Sequence, residues 1–201
     1  MTHPSAAALL TVDEAREIAE QNPHVRYELH YGELVEMTEP KYNHKLLQDR
    51  LAKLLKDRAS RFGNVLVEYG FRGTPEYDSR SADVALLSEK RHKEALELDE
   101  VFGAPELIIE IISPSNRAGE MDDKEAFCLA HGCQSFWLIN PVRRTVKVTD
   151  STRHVQWYKE GDSISLAPFS AESITLDEIS PLSSNPVLPY RCPDQKGTTK
   201  S

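Results

Sequence analysis

The chain has 201 residues, 39% of them hydrophobic and 28% charged, which suits one globular domain with room for a core. A formal net charge of −8 excludes adhesion to nucleic acid through the overall field, though not a local basic surface. No apolar run reaches a membrane span, the first residues lack the pattern of a signal peptide, and three cysteines form neither an even disulfide set nor a zinc spacing, so the expected compartment is a reducing cytoplasm.

Residues 1–10 are small and polar and are expected to be loose. Thr11-Val12-Asp13-Glu14 has the capping-box pattern, which predicts a helix from about Val12 to Gln21, ended by Asn22-Pro23. Val25 to His30 and Glu33 to Met37 read as strands of a hairpin around Tyr31-Gly32. Glu28 and Glu33 lie on it, and solvent-facing strand polarity accounts for at least one of them. Lys41 to Phe62 predicts a long helix with Leu47, Leu51, Leu54, Leu55 and Phe62 on one face and Gly63 as its C′ residue. It carries seven basic residues against two acids, either a solvated face or a phosphate-facing patch. His44 and Gln48, one turn apart, share a face of it.

Val65 to Arg72 and Ala82 to Leu87 read as strands, with Asp83 at the start of the second. Residues 88–100 are highly charged and predict an exposed helix or loop. Leu107 to Ser113 then reads as a strand buried on both faces, interrupted by Glu110. A carboxylate there needs a compensating partner. A Lys or Arg in a structural ion pair is the simpler candidate, and a divalent metal the more informative one. The next helix, about Ala118 to Ala130, places Lys124, Phe127, Cys128 and His131 on one face, which directs Lys124 inward unless it snorkels. Ser135 to Ile139 predicts another buried strand. Arg144 to Thr149, His154 to Lys159 and Ile164 to Leu166 follow as strands, and residues 181–201 are expected to be a disordered tail. Residues 11–180 would form the single domain.

Asp83 and Glu110 sit on consecutive predicted strands. Two hard carboxylates around open water positions suit Mg²⁺ or Mn²⁺, and the backbone carbonyl of Ile111 could add an oxygen. A lysine beside them would suit phosphodiester hydrolysis.

The ordered series Tyr27-Glu28-Leu29-x-x-Gly32-Glu33-Leu34-Val35, His44, Ala82-Asp83-Val84, Gly103-Ala104-Pro105-Glu106-Leu107-x-x-Glu110-x-x-Ser113-Pro114-Ser115, Lys124 and Phe136-Trp137-Leu138-x-x-Pro141 resembles the bacterial Uma-two family of restriction-endonuclease-like proteins, within the PD-(D/E)XK nuclease superfamily. The resemblance spans about Val12 to Leu166. It implies an α/β (α+β) fold: a restriction-endonuclease-like mixed sheet flanked by helices, with an N-terminal helix and β-hairpin. It also implies a metal-dependent DNA endonuclease in which Asp83 and Glu110 hold Mg²⁺ or Mn²⁺ and Lys124 assists. Two positions depart from the superfamily pattern: Ala82 replaces the proline before the Asp, and Ile112 stands where an in-strand lysine belongs, Lys124 being displaced into the next helix. Glu33, less so Glu28, and His44 match supporting positions. Lys41, Lys45, Arg72, Arg80 and Arg117 are the expected contacts to DNA, and a homodimer would serve cleavage of both strands. The alternative is an inactive nuclease-fold protein acting as a binding or scaffold module.

Overall fold

A computed structural model describes residues 9–74, 76–113 and 118–179. The predicted tail and Arg117 lie outside the described residues.

Helix α1 (Val12–Gln21) starts at the expected capping box, in which Glu14 N donates to Thr11 Oγ1 at 3.3 Å and Thr11 N donates to Glu14 Oε2 at 2.8 Å. The hairpin β1 (Arg26–His30) and β2 (Glu33–Met37) follows, with Tyr31 and Gly32 both at positive φ in its turn. Paired amides of Leu29 and Ser79, at 2.8 and 3.0 Å, fasten the hairpin to the chain just before β4.

Helix α2 (Tyr42–Ala59) ends at Ser60, earlier than its pattern predicted. Gly63 is therefore not its C′ residue but the first residue of β3 (Gly63–Phe71). Its glycine is required by a close backbone approach, since a Cβ there would lie 1.8 Å from the Leu87 carbonyl oxygen. Gly63→Ala is expected to cost about 2–4 kcal/mol, because strands β3 and β4 would have to part; a urea unfolding midpoint measures it.

Strand β4 (Arg80–Ser88), helix α3 (Glu89–Leu98, capped by Ser88), strand β5 (Leu107–Ile111) and helix α4 (Ala118–Ala130) come next. They are followed by β6 (Ser135–Asn140), β7 (Thr145–Asp150), β8 (Val155–Lys159) and β9 (Ser163–Ser165). A short strand β10 (Ser173–Thr175) and a helical turn α5 (Leu176–Ile179) close the described chain. Both are additions to the sequence reading. Their signal was a second capping box, Thr175 with Glu178.

The main sheet has six strands in the order β3-β4-β5-β6-β7-β8, antiparallel except for the parallel pair β5–β6 joined through α4. Every residue of β5 is buried. Leu107, Ile109 and Ile111 pack with Leu51 and Leu55 of α2, while Ile108 packs with Phe127 and Cys128 of α4. A strand covered by helices on both faces needs apolar residues at both parities, which explains the continuous run. Glu110 shares the parity of Ile108.

Candidate active site

The site forms where the sheet ladder is interrupted. The antiparallel pairing of β4 with β5 stops at Val84 and Ile109. The next pair in register would be Asp83 with Glu110. There the side chains replace the ladder: Asp83 N donates to Glu110 Oε1 at 3.4 Å, and Ile111 N donates to Asp83 Oδ2 at 2.7 Å. On the other side of β4, pairing with β3 also skips Asp83, opposite which Glu68 has a φ of +51°. Asp83 thus sits at a break in both ladders, and its carboxylate meets α2. His44 Nε2 lies 3.0 Å from Asp83 Oδ1, and Gln48 Nε2 donates to the same oxygen at 2.9 Å.

Helix α4 delivers Lys124 from the opposite face of the sheet. Its side chain is buried rather than snorkelling, with Nζ 2.9 Å from Glu110 Oε2 and 3.5 Å from Glu28 Oε1. The expected inward face of α4 is therefore real. Asp83, Glu110 and Lys124 converge, with His44 beside them.

Of the two hairpin acids, Glu28 reaches this cluster; Glu33 is exposed on β2. Glu28 Oε1 accepts from Ser81 N at 2.9 Å and Ser81 Oγ at 2.7 Å, and its Oε2 lies 2.7 Å from His30 Nε2. Sequence reasoning assigned no role to Gln48, His30 or Ser81. Only Gln48 carried a signal, its shared face with His44.

The carboxyls differ sharply. Burial pushes Glu110 up to about 8, with Asp83 adding to the shift and Lys124 opposing it. Burial would raise Glu28 too, but the Lys124 charge and hydrogen bonds from His30 and Ser81 outweigh it and hold Glu28 well below the usual carboxylate range. Lys124 is likewise desolvated, yet the surrounding carboxylates keep it above an ordinary lysine.

Among the described residues, no group of three or more His, Cys, Asp or Glu forms a ready-made metal cage. Asp83 and Glu110 nevertheless suit a hard cation that keeps most of its waters and takes one or two protein carboxylates. The Ile111 amide is committed to Asp83, so this residue already stands at the edge of the site through its backbone.

The expected DNA contacts separate. Lys41 and Lys45 are exposed at the start of α2. Arg80 is buried, 3.5 Å from Asp78 and with its guanidinium 4.4 Å from the centre of the Phe127 ring, which corrects its expected place on the DNA surface. Arg72 is turned inward as well, paired with Glu100 and lying over Phe102. Arg50 and Arg58 of the basic helix bind Glu178, so part of that charge fastens α5 rather than facing a phosphate.

No helix among the described residues is long and apolar enough to cross a membrane. No curated protein matches the chain. The fold is similar to the crystal structure of "a putative nuclease belonging to DUF820" from Anabaena variabilis, with a TM-score of 0.73 at 21% identity over 85% of this chain and 97% of that one. The family model Uma2, described as "Putative restriction endonuclease", matches residues 12–177. With most of its length under that match, the chain belongs to the Uma2 family.

Proposed function

We propose that this protein is a metal-dependent endonuclease that hydrolyses DNA phosphodiester bonds. The observation that carries the reading is the meeting of Asp83, Glu110 and Lys124 at one interrupted point of the sheet. The nuclease description of its family and the nuclease fold of its structural neighbour support it.

Asp83 and Glu110 would hold Mg²⁺ or Mn²⁺. When bound, such a cation supplies Lewis acidity, neutralising charge on the phosphate and making water more acidic. His44 and Gln48 orient Asp83 through its Oδ1. The Lys124 ammonium donates to a phosphoryl oxygen or to the attacking water. The water oxygen bonds to phosphorus and releases its proton to solvent, the ester P–O bond breaks, and the departing alkoxide takes a proton from solvent. Lys41 and Lys45 would contact backbone phosphates, and a homodimer would present two such sites to the two strands.

Nicking of supercoiled plasmid tests this. Relaxation is expected with Mg²⁺ or Mn²⁺, none with a chelator, and loss in both Glu110→Ala and Lys124→Ala. Persistent cleavage in both variants overturns the assignment. The direct Lys124–Glu110 pair at 2.9 Å favours a second reading, a non-catalytic binding or scaffold protein on the same fold. That reading predicts that the wild-type protein neither cleaves DNA nor binds Mn²⁺.

Two of the expected DNA contacts separate structure from binding. Arg80→Met is expected to destabilise the fold by about 3 kcal/mol in urea unfolding, because Asp78 loses its buried partner. Lys41→Ala is expected instead to reduce the salt dependence of DNA binding by about one phosphate contact, measured by fluorescence anisotropy across a salt series.

A further inference from the structure

Glu110 is not the only anion that holds Lys124. Glu28 Oε1 lies 3.5 Å from the ammonium, and the Glu28 carboxylate is itself fixed by Ser81 N, Ser81 Oγ and its contact with His30. The Leu29–Ser79 amide pair clamps the hairpin that carries it. We infer that Glu28 is a positioning residue for Lys124, keeping the ammonium in the pocket independently of Glu110.

The need for it follows from charge. If Glu110 commits its oxygens to a cation, a buried ammonium with no other anion beside it would be uncompensated and repelled. Glu28 receives its hydrogen bonds on both oxygens and lies outside the Asp83–Glu110 pair, so its charge remains available to Lys124. It deepens the nuclease reading, on which its catalytic meaning rests, but the placement of the amine is testable by itself.

The measurement is an NMR spectrum of protein carrying ¹⁵N-lysine. The Lys124 ammonium signal, identified by its loss in Lys124→Met, is expected to persist in Glu110→Gln. It is expected to shift or broaden away in Glu28→Gln, in which the amide spectrum stays folded. An unchanged signal in Glu28→Gln, or its loss in Glu110→Gln alone, overturns the inference. Should Glu28→Gln fail to fold, Ser81→Ala removes one of the donors that fix Glu28 and is expected to shift the same signal; no shift overturns the inference. In plasmid cleavage, Glu28→Gln is expected to lower kcat by about tenfold while leaving KM within about twofold, the split of a group acting after substrate binds. Wild-type protein that cuts no DNA sinks the nuclease reading, and the ammonium signal then decides the positioning role separately.

Discussion

Glu110→Gln is expected to reduce Mg²⁺-dependent nicking by about a thousandfold, the scale on which loss of one electrostatic contact to a reacting centre is felt. The amide keeps the shape of the carboxylate, and its oxygen still accepts from Asp83 N. The charge is removed, and the amide nitrogen, a donor, takes the place of the Oε2 that accepts from Lys124. That charge is one the fold opposes, since burial pushes Glu110 up to about 8. The same substitution is therefore expected to leave stability at neutral pH unchanged or slightly raised. Rates of conversion to nicked circle and urea midpoints, taken on one preparation, check the two signs together. Full activity in this variant would remove Glu110 from the cation site, and a fall in both quantities would assign the loss to misfolding.

Lys124→Met is expected to have the largest effect on stability, about 3–5 kcal/mol near pH 8, because it leaves Glu28 and Glu110 buried without their cation. The loss depends on pH. Glu110 has a folded value of about 8 against an ordinary 4.5, so its contribution to stability is fully present below about pH 4.5 and is lost as pH rises through about 8. Removing Lys124 raises that value further. At pH 5 Glu110 is largely protonated in the fold, and Lys124 has one carboxylate fewer to neutralise. The destabilisation is thus expected to be smaller at pH 5 than at pH 8, and Lys124→Met with Glu110→Gln is expected to recover part of it. Urea curves at the two pH values measure this; equal losses would mean that Glu110 adds nothing to the hold on Lys124, leaving Glu28 and the packing of the lysine stem.

Much of this site was legible in the sequence because its parts obey local periodicities. Glu110 stands out inside an apolar strand, and Lys124 shares a helical stripe with Phe127 and Cys128. The illegible parts depend on contacts between distant segments. Glu28 and Glu33 are equivalent to any pattern that sees only a hairpin. What separates them is the fastening of Leu29 to Ser79, which brings Glu28 to Ser81 and leaves Glu33 in solvent. Arg80 reads as a contact to DNA, yet Phe127 from α4 and Tyr31 from the hairpin enclose its guanidinium. Gly63 has the look of a helix terminator, and the neighbour that makes glycine necessary, Leu87, is 24 positions away.

The interrupted ladder has a consequence for how this chain tolerates change. At positions 83 and 110 the side chains stand in for missing main-chain bonds, accepting the amides of Ile111 and Asp83. An aliphatic residue at either place would forfeit a carboxylate and also unstitch the seam between two central strands. Selection for a soluble, folded product alone would thus retain acids or their amides there, with no catalysis demanded. In this architecture the reagents are also the rivets.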